Sequence, residues 1–118
     1  MMSRDLPPDL QQKIRNFQVM QGNLQGLNEQ KYTMEDQLKE ISTAKELVEK
    51  LSNETSIYKS IGGLMVQTSK DKAEADLKET EETISARLKK ITMTIERTQS
   101  KFDELKNEIN NSLKNRAG

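Results

Sequence analysis

The sequence predicts a mostly α-helical chain in which two long helices fold back on each other as an antiparallel coiled coil, joined by one β-hairpin. Three observations predict it. Apolar residues recur at alternating steps of three and four in two long runs, one before residue 52 and one after residue 71. Between the runs, TSIYKSIGGLMVQT (residues 55–68) sets apolar and β-prone residues around Gly62-Gly63, a pair that tolerates the positive φ of a tight turn. The chain has 118 residues, of which 32% are hydrophobic, with two Phe, two Tyr and no Trp. That is too little large apolar side chain for an ordinary globular core, so an elongated helical form is favoured.

Residues 1–7 read as a tail. Pro7-Pro8 fixes the backbone ahead of a helix expected over 8–52, since proline suits a first-turn position. Its seam runs through Leu10, Ile14, Phe17, Gln21 and Leu24, then through Leu27, Lys31, Met34, Leu38, Ile41, Lys45 and Val48. The step from Leu24 to Leu27 is short by one residue, which predicts a local register break, with Gly22 and Gly26 beside it. Those glycines read equally well as relief of crowding between close helices or as a hinge. Ser52, Asn53, Thr55 and Ser56 compete for backbone hydrogen bonds and end the helix.

A two-residue Gly62-Gly63 loop pairs Ile61 with Leu64 and Lys59 with Val66. Ile57, Ile61, Leu64 and Val66 then share one face, and Tyr58, Ser60, Met65 and Gln67 the other. A lone hairpin is marginal in water and leaves two open edges, so its missing strands are expected from other subunits. Ile57, Tyr58, Ile61, Gly62, Gly63, Leu64 and Val66 are therefore the candidate assembly residues.

Helix two is expected over 71–115, opened by a capping box from Asp71 to Glu74. Its seam follows Ala73, Leu77, Thr80, Ile84, Leu88, Ile91, Ile95, Thr98, Phe102, Leu105, Ile109 and Ser112, with one extra residue between Thr80 and Leu88. Acidic residues crowd its first part and basic ones its second, as the helix dipole prefers. Folding back puts Leu38 near Ile84, Phe17 near Leu105, Ile14 near Ile109 and Leu10 near Leu113, so the far end carries an apolar cluster of its own.

The 19 basic and 19 acidic residues cancel, which argues against nucleic acid and anionic membranes as partners. With no Cys and no His, thiolate metal sites, disulfides and the commonest catalytic base are all missing, so no enzyme, metal or cofactor is expected. MMSRDLPPDL has no apolar leader and no long apolar run follows, which predicts a cytoplasmic protein. On that reading the acceptor-like triplets at Asn53 and Asn110 are chance matches.

Helix, single hairpin and helix at this length, with Pro-Pro-Asp-Leu-Gln-Gln near the start, resembles the β-type subunits of the prefoldin family. The most specific stretch is Ile57-Tyr58-Lys59-Ser60-Ile61-Gly62-Gly63-Leu64-Met65-Val66, which is similar to the family's Val-Tyr-Lys-x-x-Gly-x-x-Leu-Val hairpin. The resemblance implies a single prefoldin-like domain over 1–118. It also implies assembly of two α-type with four β-type subunits through an inter-subunit β-barrel made of their hairpins. The implied activity is that of an ATP-independent holdase, which binds unfolded client proteins at the coiled-coil tips and passes them to a group II chaperonin. Leu6, Leu10, Ile14 and Phe17 on the first helix and Leu105, Ile109 and Leu113 on the second occupy the tip positions. All but Leu6 also belong to the coil or its end, where packing competes with client contact; Leu6, Leu10 and Leu113 lie where helices fray and are the better client candidates. Behind the tip lies an uncharged run, Asn16 to Asn28. A tethering coiled coil without chaperone activity, or an adaptor adding a helix to partner bundles, would explain the heptads but not the hairpin.

Overall fold

The structure, a computed structural model, describes residues 6–117, with the side chain of Ala117 excepted. Of the expected tail, all but Leu6 and Pro7 lies outside the described residues. The elements in order are α1 (Pro8–Glu49), β1 (Ile57–Ile61), β2 (Leu64–Thr68) and α2 (Lys70–Ala117). The chain divides into two compact units: a hairpin unit, Tyr32–Lys89, and a terminal unit, Met1–Lys31 with Lys90–Gly118.

In the hairpin unit, β1 and β2 pair antiparallel with Ile61 opposite Leu64, Lys59 opposite Val66 and Ile57 opposite Thr68. Gly62 and Gly63 have φ of 54° and 84°, and positive φ at both central residues is the signature of the turn whose twist matches paired strands. α1 ends at Glu49, short of residue 52, because Leu51 N–H donates back to the Val48 carbonyl (3.1 Å) and tightens the last turn. That last turn has no basic residue of its own. The cation comes from α2: Lys70 Nζ donates to the carbonyls of Glu49 (3.0 Å) and Leu51 (2.9 Å).

The expected capping box at Asp71 does not form. Ser69 caps α2 instead, its Oγ accepting from Lys72 N–H (3.2 Å) and its carbonyl from Ala73 N–H (2.8 Å). The hydroxyl directly after the strand reaches the free N–H groups first. Asp71 falls inside the first turn, where the dipole favours it, and Glu74 faces Lys70 (3.9 Å).

The core is a stripe along each helix. Its buried members are Leu10, Leu24 and Ile41 on α1 and Ile84, Ile91 and Ile109 on α2. Two positions on α1 depart from the expected seam. Met20, half-buried, takes the place of exposed Gln21, and Lys13 is half-buried alongside Ile14. Through Lys13, Phe17, Met20, Leu24 and Leu27 the steps alternate between four and three, so the expected register break is absent. On α2, half-buried Glu81 takes the seam place of exposed Thr80. The reason lies across the seam: Lys45 Nζ lies 3.1 and 3.4 Å from the two carboxylate oxygens of Glu81. α2 continues to Ala117, with Lys114 and Arg116 in its last turn favouring the helix end.

Gly22 and Gly26 do not relieve crowding. A Cβ added to either would meet nothing within 4 Å, and α1 runs unbroken through both.

Candidate functional site

Two surfaces carry the predicted site residues, one in each unit. In the hairpin, Ile61, Leu64 (70% exposed), Met65 and Val66 (45% exposed) all face solvent, and so does Tyr58. Among the described residues the sheet has only these two strands, so each strand also keeps one unpaired edge. A hairpin bare on its edges and on much of both faces cannot account for its own stability. Ile57 and Thr68, at the open end, are half-buried. Lys59 Nζ bonds Asp76 Oδ2 (3.0 Å) and ties β1 to α2. Beside β1 a notch of about 300 Å³ opens, bounded by Ile57, Tyr58 and Lys59 and floored by Ala44, Val48, Ala73 and Leu77.

In the terminal unit the two Phe side chains stack, with ring centroids 4.4 Å apart and planes 20° from parallel. Phe17 therefore stacks on Phe102, one turn of α2 before the Leu105 that the heptad spacing put nearest to it. A near-parallel aromatic pair contributes beyond its buried area, and the coil settles where both rings overlap. Two grooves open in this unit. Ile14 and Phe17 share one of about 360 Å³ with Ile109 and Lys106. Leu105 lies in another of about 510 Å³ with Asn16, Val19, Met20 and Asn23.

The candidate client residues divide accordingly. Leu10 is 3% exposed, among the best packed side chains described, and Ile109 is buried as well. The fraying expected at Leu10 is countered by the start of α1: Gln11 N–H donates to the Pro7 carbonyl (3.0 Å) and its Nε2 to the Leu6 carbonyl (2.8 Å). Leu6, Ile14, Phe17 and Leu105 are half-buried, and Leu113 is 40% exposed. Val19, 63% exposed at the groove that holds Leu105, was not singled out by the seam reasoning. Being off the seam and apolar inside the uncharged run was the available signal.

No described helix is long and apolar enough to cross a membrane, and no group of three or more described carboxylates has metal-site geometry.

These features define a coiled-coil protein with a single exposed two-stranded hairpin among the described residues. Residues 11–116 match the model of the prefoldin subunit family. Prefoldin subunit beta of Methanococcoides burtonii is 38% identical over 112 residues, covering 95% of this chain and 96% of that one. The Pyrococcus furiosus beta subunit is 33% identical over 111 residues, covering 94% and 95%. The crystal structure of the prefoldin beta subunit from Thermococcus strain KS-1 superposes with a TM-score of 0.82 at 34% identity, over 91% of this chain and 94% of that one. The chain belongs to the prefoldin subunit family, in its β type, and is a chaperone subunit that assembles with other prefoldin subunits.

Proposed function

We propose that the chain is an ATP-independent holdase subunit of the cytoplasm, two α-type and four β-type subunits joining their hairpins into a double β-barrel body. The helix ends capture non-native polypeptides and deliver them to a group II chaperonin. The observation that carries this reading is the hairpin's exposed set, Ile61, Leu64, Met65 and Val66, next to two open strand edges. Burying a side chain of that size contributes about 1.5–3 kcal/mol before entropic losses, so several together favour association. Val66→Asp puts a charge into that contact and is expected to abolish assembly while the helices persist.

Client contact is assigned to Leu6, Ile14, Phe17, Leu105 and Leu113, with Leu10 and Ile109 packing beneath them. Each contact is weak and the oligomer multiplies them. The test is protection of an unfolding model protein from aggregation, without nucleotide, by this chain mixed with an archaeal α-type subunit. Deleting residues 1–9 together with 111–118 should leave assembly intact and sharply reduce protection. Leu113→Ser alone should do little. Undiminished protection by the truncated oligomer would move the client site away from the helix ends.

A further inference from the structure

We propose that Met65 is an oxidation site that governs assembly: hydrogen peroxide converts its thioether to the sulfoxide in the free chain, and a hairpin carrying the sulfoxide stays out of the oligomer until it is reduced again. The inference rests on the assembly role proposed for the hairpin. The 118 residues include no Cys, so methionine is the only sulfur the chain offers to a peroxide. Exposure then ranks the described methionines. Met65 is 65% exposed and Met93, on α2 in the terminal unit, 47%, whereas Met20 and Met34 are half-buried.

What oxidation does follows from the face on which Met65 stands. Alternation and the observed register put Tyr58, Ser60, Met65 and Gln67 on one face of the hairpin, with Met65 directly opposite Ser60. Lys59 reaches Asp76 from the other face, whose end residues Ile57 and Thr68 are half-buried. The Met65 face is therefore turned away from the helices, and all four of its residues are exposed. Tyr58, Ser60 and Gln67 each carry a strong hydrogen-bonding group, so Met65 alone makes that face worth burying without one. In the oxidation a sulfur lone pair attacks one peroxide oxygen, the O–O bond breaks, and the other oxygen leaves as water with the proton of the first. Sulfur loses two electrons and the peroxide gains them. The face is then polar throughout, while Ile57, Ile61, Leu64 and Val66 on the opposite face and the backbone pairing of the strands are untouched. Covering it no longer removes an apolar side chain from water but strips water from an S=O group. Two thiols reverse the step, releasing the oxygen as water and becoming a disulfide.

Hydrogen peroxide applied to the isolated full-length chain, followed by peptide mass spectrometry, should oxidise Met65 ahead of Met93. In the oligomer formed with an archaeal α-type subunit the rate at Met65 should fall while that at Met93 stays the same. Oxidised chain, freed of peroxide and mixed with untreated α-type subunit, should need about tenfold more protein for half-maximal assembly by light scattering, at unchanged helical circular dichroism. The two methionine sulfoxide reductases, one for each sulfoxide epimer, should restore the original value with dithiothreitol. Met65→Leu should assemble normally before and after peroxide, and Met93→Leu should remain sensitive. Met65→Gln should behave as the oxidised chain does, without treatment. Equal oxidation of Met65 in free chain and oligomer, normal assembly by the oxidised chain, or loss of assembly by peroxide-treated Met65→Leu overturns the site at Met65 while Val66→Asp still disrupts the oligomer. Normal assembly by Val66→Asp overturns the hairpin reading itself, and this inference with it.

Discussion

Replacing both Gly22 and Gly26 with alanine should stabilise the chain. Both lie in the interior of α1, neither has positive φ, and an added Cβ at either finds open space. No packing gain or clash enters, so only the helix preference of alanine over glycine acts, about 0.5–1 kcal/mol per site. Together the two substitutions are worth about 1–2 kcal/mol, or roughly a five- to thirtyfold change in the folded-to-unfolded ratio. Urea unfolding of the isolated chain, followed by helical circular dichroism, reads the total. Amide exchange should locate the gain in the terminal unit, which contains both glycines. Assembly and client protection are expected to stay unchanged, because the helix already passes through both positions without a break. A loss of stability would refute the argument by showing that the open space closes in solution. A gain in stability with a loss of protection would revive the hinge.

Lys70→Met removes the hydrogen bonds to the Glu49 carbonyl that ends α1 and to the Leu51 carbonyl just beyond it, and should cost about 1–2 kcal/mol in thermal unfolding of the isolated chain, with Lys70→Arg recovering part. Gly63→Val forces a β-branched residue to φ 84° and should cost about 1–3 kcal/mol of hairpin stability, losing assembly by light scattering while helicity persists, whereas Gly62→Asn is tolerated in the same assay. Glu81→Leu leaves Lys45 unpaired at the seam and should change stability by no more than about 0.5–1 kcal/mol, because both side chains are more than a third exposed to water. The double change Lys45→Leu with Glu81→Leu should exceed wild type in urea unfolding, since two apolar seam residues replace two charges.

The hairpin was the most legible part of the chain. A Gly-Gly pair between alternating apolar residues leaves one two-residue loop, and that loop length fixes every cross-strand pair through Ile57 and Thr68. The seams were legible wherever an apolar residue had no apolar neighbour at the competing position. The α1 seam went astray at Gln21 because counting four from Phe17 was preferred to counting three, although Met20 was the apolar choice. Glu81 in place of Thr80 was not legible at all. Neither residue is apolar, and what decides between them is Lys45 on the other helix, which a single strip of sequence does not display. Phe17 meeting Phe102 is the same kind of failure: heptad counting places partners to within one turn, and ring overlap settles the rest. Among the tip residues, position near the chain end suggested that Leu10 would be free. Proline and Gln11 at the helix start reverse that, so proximity to a terminus was the wrong proxy for exposure.

Each unit has buried apolar residues on its helices, Ile41 and Ile84 in the hairpin unit and Leu10, Leu24, Ile91 and Ile109 in the terminal unit, and what each adds to them bears on what it is proposed to do. The hairpin unit adds polar and directional cross-element contacts: Lys70 on the carbonyls of Glu49 and Leu51, Lys45 on Glu81 and Lys59 on Asp76. The two ion pairs contribute little free energy at their exposure. Each does fix an angle or a register, and Lys59 fixes the strand that borders the notch. A strand edge can accept a neighbour only if its hydrogen-bonding groups point along a defined line, so orientation is what assembly demands of this unit. The terminal unit adds across its helices the stack of Phe17 on Phe102 and an exposed ion pair, Lys13 to Glu108 at 3.5 Å. Apolar packing is tolerant of small shifts where a bidentate ion pair is not. The surface proposed to meet many unrelated polypeptides would gain from that tolerance, and the uncharged residues from Asn16 to Asn28 would impose no charge pattern on a client.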